Sequence, residues 1–505
     1  MMAARSVGVR GLCPRCLLWV GMVVLAALVP LSAQEDFGFG FGDETEETKE
    51  AAGGVSGFSF LSEMRVKIGG EVSAQLLGYG DDFTSPSKIK ETSLGDVFSG
   101  KLNFSAASSN ADGVINVNLA PVFDGSSSPL TIDEAYIRAY FGRVSIEGGL
   151  RKLTWGKADS LGPLDVVNSL DYSDLIDMTN IMGRKIARPM IHASYSVGSF
   201  SKLEGVFVPW FEGHRFAPEG RWAPSQLTNL PDQMSASTAA YIGATAPPVS
   251  PEVLSTILAQ VSSNSPAFEY PETRTLQYAQ AGLRFTTTIG SSDIGVQYYF
   301  GRLPRPAVSL RGLKNFWQNF DMSTQQPGEP ITPEIAYNPY HQIGIDYAQV
   351  IAGFNLRAEL AANITGDISG DDGAVYNPSI AWSLGFDRDV IGGINVNLQG
   401  TESIRLLDNK VGDTIALDTE AGTDMTSTRI TLVLSKKFFR DELEIKATGI
   451  WGIENKDFFI LPALVWTKGD VEVELSGGIL GGDEAGELGQ YHKNSFVKIM
   501  LTYSF

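Results

Sequence analysis

The stretch Val497-Lys498-Ile499-Met500-Leu501-Thr502-Tyr503-Ser504-Phe505 ends the chain with two alternating kinds of side chain. The odd positions hold apolar or aromatic residues, and the even positions hold polar residues or methionine. Successive side chains of a β-strand point to opposite faces of its sheet. The stretch therefore predicts a strand with one apolar and one polar face.

The same alternation runs from about residue 58 to the last residue, and we assign the segment 58–505 to one domain. Eighteen stretches show the pattern, and sixteen strands would also fit it. The predicted strands are 63–79, 95–107, 114–123, 131–141, 143–152, 187–197, 200–211, 275–289, 293–302, 340–350, 353–364, 377–387, 391–402, 427–437, 441–453, 458–467, 470–480 and 494–505.

The connections between these strands alternate in length. Long ones are predicted at 80–94, 153–186, 212–274, 303–339, 365–376, 403–426 and 481–493, and tight turns at 110–113, 390–392, 440–441 and 468–470. Barrels of the outer membrane have even strand numbers, short periplasmic turns and long extracellular loops. A sheet in hydrocarbon must close on itself because no strand edge can stay unpaired, and its polar face then lines a wet lumen.

A soluble sandwich would bury the apolar face instead, and alternation alone does not separate the two folds. The signal peptide predicted below for residues 1–33, the strand number and the unequal loops favour the membrane barrel. The expected fold class is therefore all-β, a transmembrane antiparallel β-barrel of about 18 strands with short periplasmic turns and long extracellular loops.

Residues 1–33 are typical of a secretory signal peptide. Three arginines precede an uncharged apolar run, and Ser32 and Ala33 offer a cleavage site. A membrane anchor is the alternative, but the apolar run is short for a span. The two cysteines, Cys13 and Cys16, both lie in this segment. The mature chain is therefore expected to contain no disulfide and no thiolate metal site.

The charge balance excludes a further class of protein. Cleavage of the signal peptide removes three arginines and no acids. The mature chain then has 36 basic residues against 58 acidic ones, and the net charge changes from −19 to −22. Binding of nucleic acid through a basic face is not expected.

Residues 34–57 combine Phe-Gly repeats with an acidic run, which predicts a flexible leader or, as an alternative, a plug that enters the barrel.

The end of the chain also bears on assembly and location. Tyr503 and Phe505 close an alternating final strand, which looks like the signal that the outer-membrane assembly machinery recognises. That machinery and outer-membrane lipid are therefore the expected partners, together with small solutes. The expected location is the outer membrane of a diderm bacterium.

Two motifs carry a resemblance to a known family. The stretch Trp155-Gly156-Lys157-Ala158-Asp159 follows a predicted strand, and Asp165-Val166-Val167-Asn168-Ser169-Leu170-Asp171 follows shortly after. They resemble the W-G-x-x-D and D-V-x-N-P-x-D motifs of a porin-like family of Gram-negative outer-membrane proteins that is largely uncharacterised. Lys152, which precedes the first motif, stands where the family usually has glutamine, and Ser169 stands where the second motif has proline. The resemblance covers under a fifth of the chain and implies a porin-like channel without a substrate.

In general porins an inward-folded loop narrows the lumen, and we expect the loop 153–186 to form such a constriction. Opposed charges across a pore create a field that sorts solutes by charge and dipole. The alternative is that these residues cap turns and hold the loop to the wall. The candidate constriction residues are Trp155, Lys157, Asp159, Asp165, Asn168, Asp171, Asp174, Arg184 and Arg188.

The polar positions of the predicted strands give candidates for the lumen wall. Both charge signs occur, which does not favour a strongly anion-selective pore, and the acidic surplus of the chain favours cations. The wall candidates are Arg65, Lys67, Glu71, Lys101, Glu134, Arg138, Arg284, Arg357, Glu359, Glu444 and Lys446.

The expected function is a passive outer-membrane channel for small solutes, hydrophobic ones included. One alternative is a fatty-acid-type transporter with 34–57 as its plug. Another is a surface adhesin, favoured by the long loops and the aromatic residues at 316–320. Four scattered histidines and the lack of a nucleophile elbow predict no enzyme, no catalytic or metal site and no cofactor. The oligomeric state is left open.

One helix is predicted in the long loop 212–274. Ser250 suits the N-cap and Pro251 suits the first helical position. An apolar stripe follows between Val253 and Val261. We expect this helix to pack on the mouth of the barrel, with a lid or a surface contact as the alternative.

Overall fold

The computed structural model describes residues 65–81, 98–119, 130–245, 250–264, 271–309, 334–390, 392–415 and 417–505. Eighteen of its strands form a single sheet. They are β1 (Arg65–Tyr79), β2 (Phe98–Ala107), β3 (Ala111–Leu119), β4 (Leu130–Phe141), β5 (Val144–Arg151), β6 (Arg188–Val197), β7 (Ser201–Val208), β8 (Gln280–Ile289), β9 (Ser292–Arg302), β10 (Pro339–Ile351), β11 (Phe354–Thr365), β12 (Ser379–Val390), β13 (Ile394–Arg405), β14 (Thr426–Phe438), β15 (Leu443–Gly452), β16 (Asp457–Lys468), β17 (Val471–Gly481) and β18 (Phe496–Ser504). The predicted leader segments 1–33 and 34–57 and the aromatic residues at 316–320 lie outside the described residues.

The sheet is closed and antiparallel. Each strand pairs with the next along the chain, and β18 pairs with β1 from Glu71 opposite Ser504 to Tyr79 opposite Phe496. One residue further, the Gly70 N–H donates to the Phe505 carbonyl at 2.9 Å, and the Phe505 N–H donates to the Gly70 carbonyl at 3.0 Å. No strand edge of the sheet is left open, and the prediction of an antiparallel barrel of about 18 strands is confirmed.

The connections are short at one end of the barrel and long at the other. The short turns include 142–143, 290–291 and 469–470, and each contains a glycine with a positive φ: Gly142, Gly290 and Gly469. The predicted turn 110–113 is wrong in its position. Asp112 and Gly113 already pair with Ala107 and Ala106 in the sheet, because the Ser108 hydroxyl closes an earlier turn by accepting the Ala111 N–H at 3.2 Å.

The outer face of the barrel is apolar, and the inner face is polar. On β10 the outward Ile343 and Ile345 are 54% and 46% exposed, whereas the inward Gln342 and Asp346 are each 1% exposed. Soluble monomers do not expose apolar belts of this extent, whereas lipid covers them. No helix among the described residues has the length and apolar character needed to cross a membrane. The chain is therefore a β-barrel of the outer membrane.

The remaining elements of the described residues lie in the long loops. They are the helices α1 (Ile181–Arg184), α2 (Ser225–Thr228), α3 (Leu230–Thr245) and α4 (Pro251–Asn264), three 3₁₀ turns (Leu276–Tyr278, Asp408–Lys410 and Gly489–Asn494), the parallel pair Asp171–Tyr172 with Arg215–Phe216, and the antiparallel pair Ala307–Ser309 with Glu334–Ala336. The predicted helix is confirmed as α4, where the Val253 N–H donates to Ser250 Oγ at 3.3 Å.

Helix α3 was not predicted from the sequence. Its buried positions follow a spacing of four residues, with Leu230, Met234, Thr238 and Ile242 facing inward. The threonine and the many small residues weaken the apolar stripe, so the helical period is hard to recognise.

Two apolar clusters form inside the barrel, where loops pack against the wall. One contains Trp155 and Val167 of the loop 152–187 against Met190, Val206 and Tyr299 of the strands. The other cluster contains Leu175 of the same loop. Around Leu175 lie side chains of three further regions, which are Trp222 of the loop after β7, Leu488 and Tyr491 of the loop before β18, and Phe459 and Phe496 of the wall. The core therefore consists of loops held within a polar cylinder.

Candidate functional site

The loop 152–187, called the inner loop below, is bonded to the inward side chains of the strands. The Glu359 carboxylate on β11 accepts three of its backbone N–H groups, from Lys157, from Ala158 at 2.7 Å and from Leu164 at 3.3 Å. Hydrogen bonds to a charged acceptor are stronger than neutral ones. Glu359 therefore fixes one bend of the inner loop against the wall.

Three glutamines of the neighbouring strands extend this attachment. Gln399 Oε1 on β13 accepts the N–H groups of Asp159 at 2.9 Å and Ser160 at 3.0 Å. Gln342 and Gln297 donate to the carbonyls of Pro163 and Leu164, each at 2.9 Å. These side chains all lie on the polar, inward face of β9 to β13, so the inner loop lies within the lumen.

Glycines allow this close approach. Gly156 has a φ of +90°, and a Cβ there would lie 2.3 Å from Glu359 Oε1. A Cβ at Gly344 on β10 would lie 2.2 Å from Leu164 Cδ2, and Leu164 is fully buried over that gap. Trp155 sits edge-on to Tyr299 at 6.2 Å between ring centroids. The W-G-x-x-D stretch thus anchors the first half of the inner loop (152–168).

The second motif ties the two ends of the inner loop together. Asn168 accepts the Leu153 N–H at 2.8 Å and donates to the carbonyls of Arg151 at 3.0 Å and Ile186 at 2.9 Å. Asp165 pairs with Lys185 at 2.7 Å. Burial raises the pKa of Asp165, although Lys185 acts in the opposite direction.

The second half of the inner loop (169–187) crosses to other walls. Asp177 pairs with Lys498 of β18 at 2.8 Å. Arg184 lies over the Tyr172 ring at 4.4 Å, and Asp171 pairs with Arg215 at 2.7 Å.

Two further constriction candidates have different surroundings. Asp174 is exposed and accepts the Ile176 N–H at 3.0 Å. Partial loss of bulk water around this exposed carboxyl inside the barrel, followed by the charges of Asp177 and Asp171, raises the pKa of Asp174. Arg188, at the start of β6, is 1% exposed, bonds to Ser169 Oγ at 3.1 Å and pairs with Glu212 at 3.0 Å.

The candidate constriction residues therefore do not share one surface. Trp155, Asp165, Asn168 and Arg188 make contacts that hold the inner loop. Lys157 lies 3.9 Å from Asp293. Asp159 bonds to Arg357 and, at 2.9 Å, to Asn397 of the wall. Asp171, Asp174 and Arg184 belong to the second half of the inner loop.

Several wall candidates pair with one another or with neighbouring strands. Glu71 and Lys101 lie 2.6 Å apart, Arg138 lies 2.8 Å from Glu147, and Arg284 lies 2.6 Å from Asp346. The first two pairs are cross-strand neighbours on the polar face, which is the usual way that opposite charges stabilise a sheet. Arg284 on β8 reaches Asp346 on β10 across the intervening strand β9.

The other wall candidates have separate positions. Glu134 accepts the Lys152 N–H at 2.9 Å, so it supports the start of the inner loop. Arg65 and Lys67 are exposed near one end of β1, and Glu444 and Lys446 are half-buried on β15. Gln297, Gln342 and Gln399 are not among the predicted residues, because their uncharged amides do not stand out from the other polar positions of the strands.

A cavity of about 510 Å³ lies between the inner loop and the wall formed by β4 to β7. Leu153 and Thr154 of the loop line one side of it, and charged residues of both signs line the rest. His192 lies between two carboxylates there, with Nδ1 at 3.3 Å from Glu147 and Nε2 at 3.3 Å from Glu204. The wall beside the inner loop is therefore polar and solvated.

No protein-family model and no curated protein matches the chain. Among solved structures, it is similar to the outer-membrane channel DcaP of Acinetobacter baumannii, with 10% identity, 88% of this chain and 98% of that chain covered, and a TM-score of 0.39. Salmonella typhi OmpF, solved in a complex with daunomycin, shares 8% identity over 88% of this chain and 99% of its own, with a TM-score of 0.38.

Wzi of Escherichia coli, an outer-membrane protein involved in group 1 capsule assembly and described as a carbohydrate-binding β-barrel, shares 11% identity. The match covers 86% of this chain and 84% of Wzi, with a TM-score of 0.42. Likenesses at these values carry no function to this chain. The resemblance of the two motifs to a porin-like family stays a prediction.

Proposed function

We propose that the chain is a passive channel for small polar solutes, with the inner loop as its constriction. The observation that carries this proposal is the attachment of the inner loop to Glu359 and Gln399 on the inward face of β11 and β13. A loop held in this way narrows the lumen while the rest of the polar wall stays available to water and solute.

The polarity of the inner face supports polar rather than hydrophobic solutes. Charged residues such as Glu147, Arg284 and Asp346 are paired across strands there. The apolar side chains found inside the barrel are used in packing loops against the wall. A hydrophobic solute would meet a wall that retains its water, and it would gain little from leaving solution.

The test is single-channel conductance of the full chain extracted from outer membranes and inserted into a planar bilayer. Discrete, voltage-independent steps in potassium chloride are the expected result. A folded, heat-modifiable barrel that inserts without conductance would contradict the channel and would favour a plugged transporter or a surface-binding barrel.

A further inference from the structure

Two arginines at the loop end of the lumen have no carboxylate partner among the described residues. Arg184 is 8% exposed, and it donates from Nε to the Asp171 carbonyl and from Nη1 to the Met178 carbonyl, both at 3.1 Å. Its Nη2 is buried and makes no hydrogen bond. Arg305 is exposed, and no hydrogen bond or ion pair joins it to any described residue.

Contacts through Tyr172 and His214 bring these two arginines close to one another. The Arg184 guanidinium lies 4.4 Å from the centre of the Tyr172 ring, and that ring lies 5.1 Å from His214. The His214 N–H donates to the carbonyl of Pro304 at 3.0 Å, one residue before Arg305. Arg305 therefore emerges beside the ring that Arg184 covers.

Pro306, the residue after Arg305, contacts a second tyrosine. The Tyr376 hydroxyl donates to the carbonyl of Pro306 at 2.9 Å, so Arg305 lies between Tyr172 and Tyr376. Tyr172 belongs to the inner loop, and Tyr376 belongs to the loop between β11 and β12. A ligand placed here would meet guanidinium donors together with aromatic faces.

A third guanidinium completes the group. Arg429 projects from the inward face of β14 and pairs with Glu487 of the loop before β18. Asp171 is already paired with Arg215 at 2.7 Å. Glu487 and Asp171 each pair with one arginine, Arg429 and Arg215, and neither makes an ion pair with Arg184 or Arg305.

The titration of neighbouring loop residues agrees with a positive local potential. Burial, followed by the charges of Arg305 and Arg184, lowers the pKa of His214 to about 3. The pKa of Glu487 is lowered although burial acts in the opposite direction, because Arg429 and Arg305 stabilise its carboxylate. Two different groups therefore respond to the same cluster of arginines.

We propose that Arg184, Arg305 and Arg429 form a binding site for a small organic anion, a carboxylate or a phosphate ester, at the loop end of the lumen. Planar guanidinium groups bind both kinds of oxyanion through paired hydrogen bonds. The Tyr376 ring would contact the organic part of the solute, because the Tyr172 ring is already packed against Arg184 and Phe216. The inference rests on the proposed channel, and it departs from the preference for cations that the acidic composition suggests.

The test uses the full chain in a planar bilayer with sodium succinate and glycerol 3-phosphate as probes. We expect either anion to interrupt the potassium chloride current at millimolar concentration. Arg305→Gln should weaken this block at least about tenfold, which corresponds to about 1.4 kcal/mol. Arg440→Gln is the matched control, because Arg440 is an exposed arginine on a turn at the other end of the barrel.

The outcomes separate this site from the channel itself. Normal conductance with no block, or a block unchanged by Arg305→Gln, overturns the anion site and leaves the channel standing. A block by only one probe supports the site and assigns its head group. Without any conductance the channel proposal fails. The site is then tested by calorimetry with the same probes on the detergent-solubilised chain, where absence of Arg305-dependent heat overturns it.

Discussion

The two halves of the inner loop lie in the same lumen and use their polar groups differently. In the first half, 152–168, backbone N–H groups and carbonyls are paired with wall side chains such as Glu359 and Gln399. In the second half, 169–187, Arg184 keeps a buried charged donor without a partner, whereas the unpartnered donor of the first half, the Trp155 indole N–H, is neutral and lies in an apolar cluster. Both halves contain acidic, basic and amide residues, so their composition does not distinguish them.

This difference separates the residues that hold the inner loop in place from those that can bind a solute. Hydrogen bonds that are already satisfied stabilise the position of the loop and offer little to a passing molecule. Donors without partners carry a desolvation penalty that a ligand can relieve. The motif residues of the first half are therefore expected to set the shape of the lumen, and the arginines near the second half are expected to set its preference.

The largest expected effect comes from removing the carboxylate that holds the first half. Glu359→Ala leaves three backbone N–H groups without their acceptor, and hydrogen bonds to charged groups contribute about 1.5–3 kcal/mol each. The inner loop should leave the wall, and single-channel recordings should show a larger and noisier conductance.

Glu444→Ala is the matched control, because it removes a half-buried glutamate from another strand of the wall. Equal recordings from both variants would show that Glu359 does not hold the constriction.

A smaller effect is expected at the junction of the two halves. Asn168→Ala removes three neutral hydrogen bonds, at about 1 kcal/mol for each bond. The barrel should remain closed while both halves gain freedom together. The measurement is the current noise of single channels, with the temperature of heat modification on gels as a check on the barrel. A lower temperature without added noise would contradict a role limited to the inner loop.

The smallest effect is a pH dependence of the second half through His214. Its pKa is about 3 in the folded chain against an ordinary 6.5, so the native state binds the proton more weakly. The stability that this group contributes is therefore present above pH 6.5 and is lost as the pH falls toward about 3. Protonation also removes the acceptor of the Leu170 N–H, which lies 3.0 Å from Nδ1.

The measurement is the frequency of channel closures between pH 7 and about 3, a range set by this shift in pKa. Acidification should increase closures in the native chain. His214→Gln keeps an acceptor that does not titrate, so its profile should be flat. An unchanged pH profile in that variant would place the effect elsewhere.

The barrel could be predicted from the sequence because its physical cause repeats along the chain. Lipid on one side and water on the other impose a period of two on every strand, and turn residues separate the strands. The strands at 143–152 and 458–467 follow from the same rule as the final one. The turn after β2 was misplaced because Asp112 and Gly113 are common turn residues that here belong to a strand.

The site could be predicted only in part. The inner loop was identified by its length and motifs, but its partners Gln297, Gln342 and Gln399 are uncharged residues on three separate strands. Arg305 and Arg429 lie far along the chain from Arg184, and only closure of the sheet brings them together. No local pattern marks residues that meet across a lumen.

The ion pair between Asp177 and Lys498 has a mechanical consequence. The inner loop leaves from β5 and returns to β6, is bonded to β11 and β13, and reaches β18 through this pair. It thus acts as a strut between distant parts of a wide cylinder whose strands are otherwise linked only to their neighbours. Lateral pressure from the bilayer would flatten an unbraced ring of this size toward an ellipse. A braced ring keeps its cross-section, so the segment that we propose narrows the passage would also fix its outline.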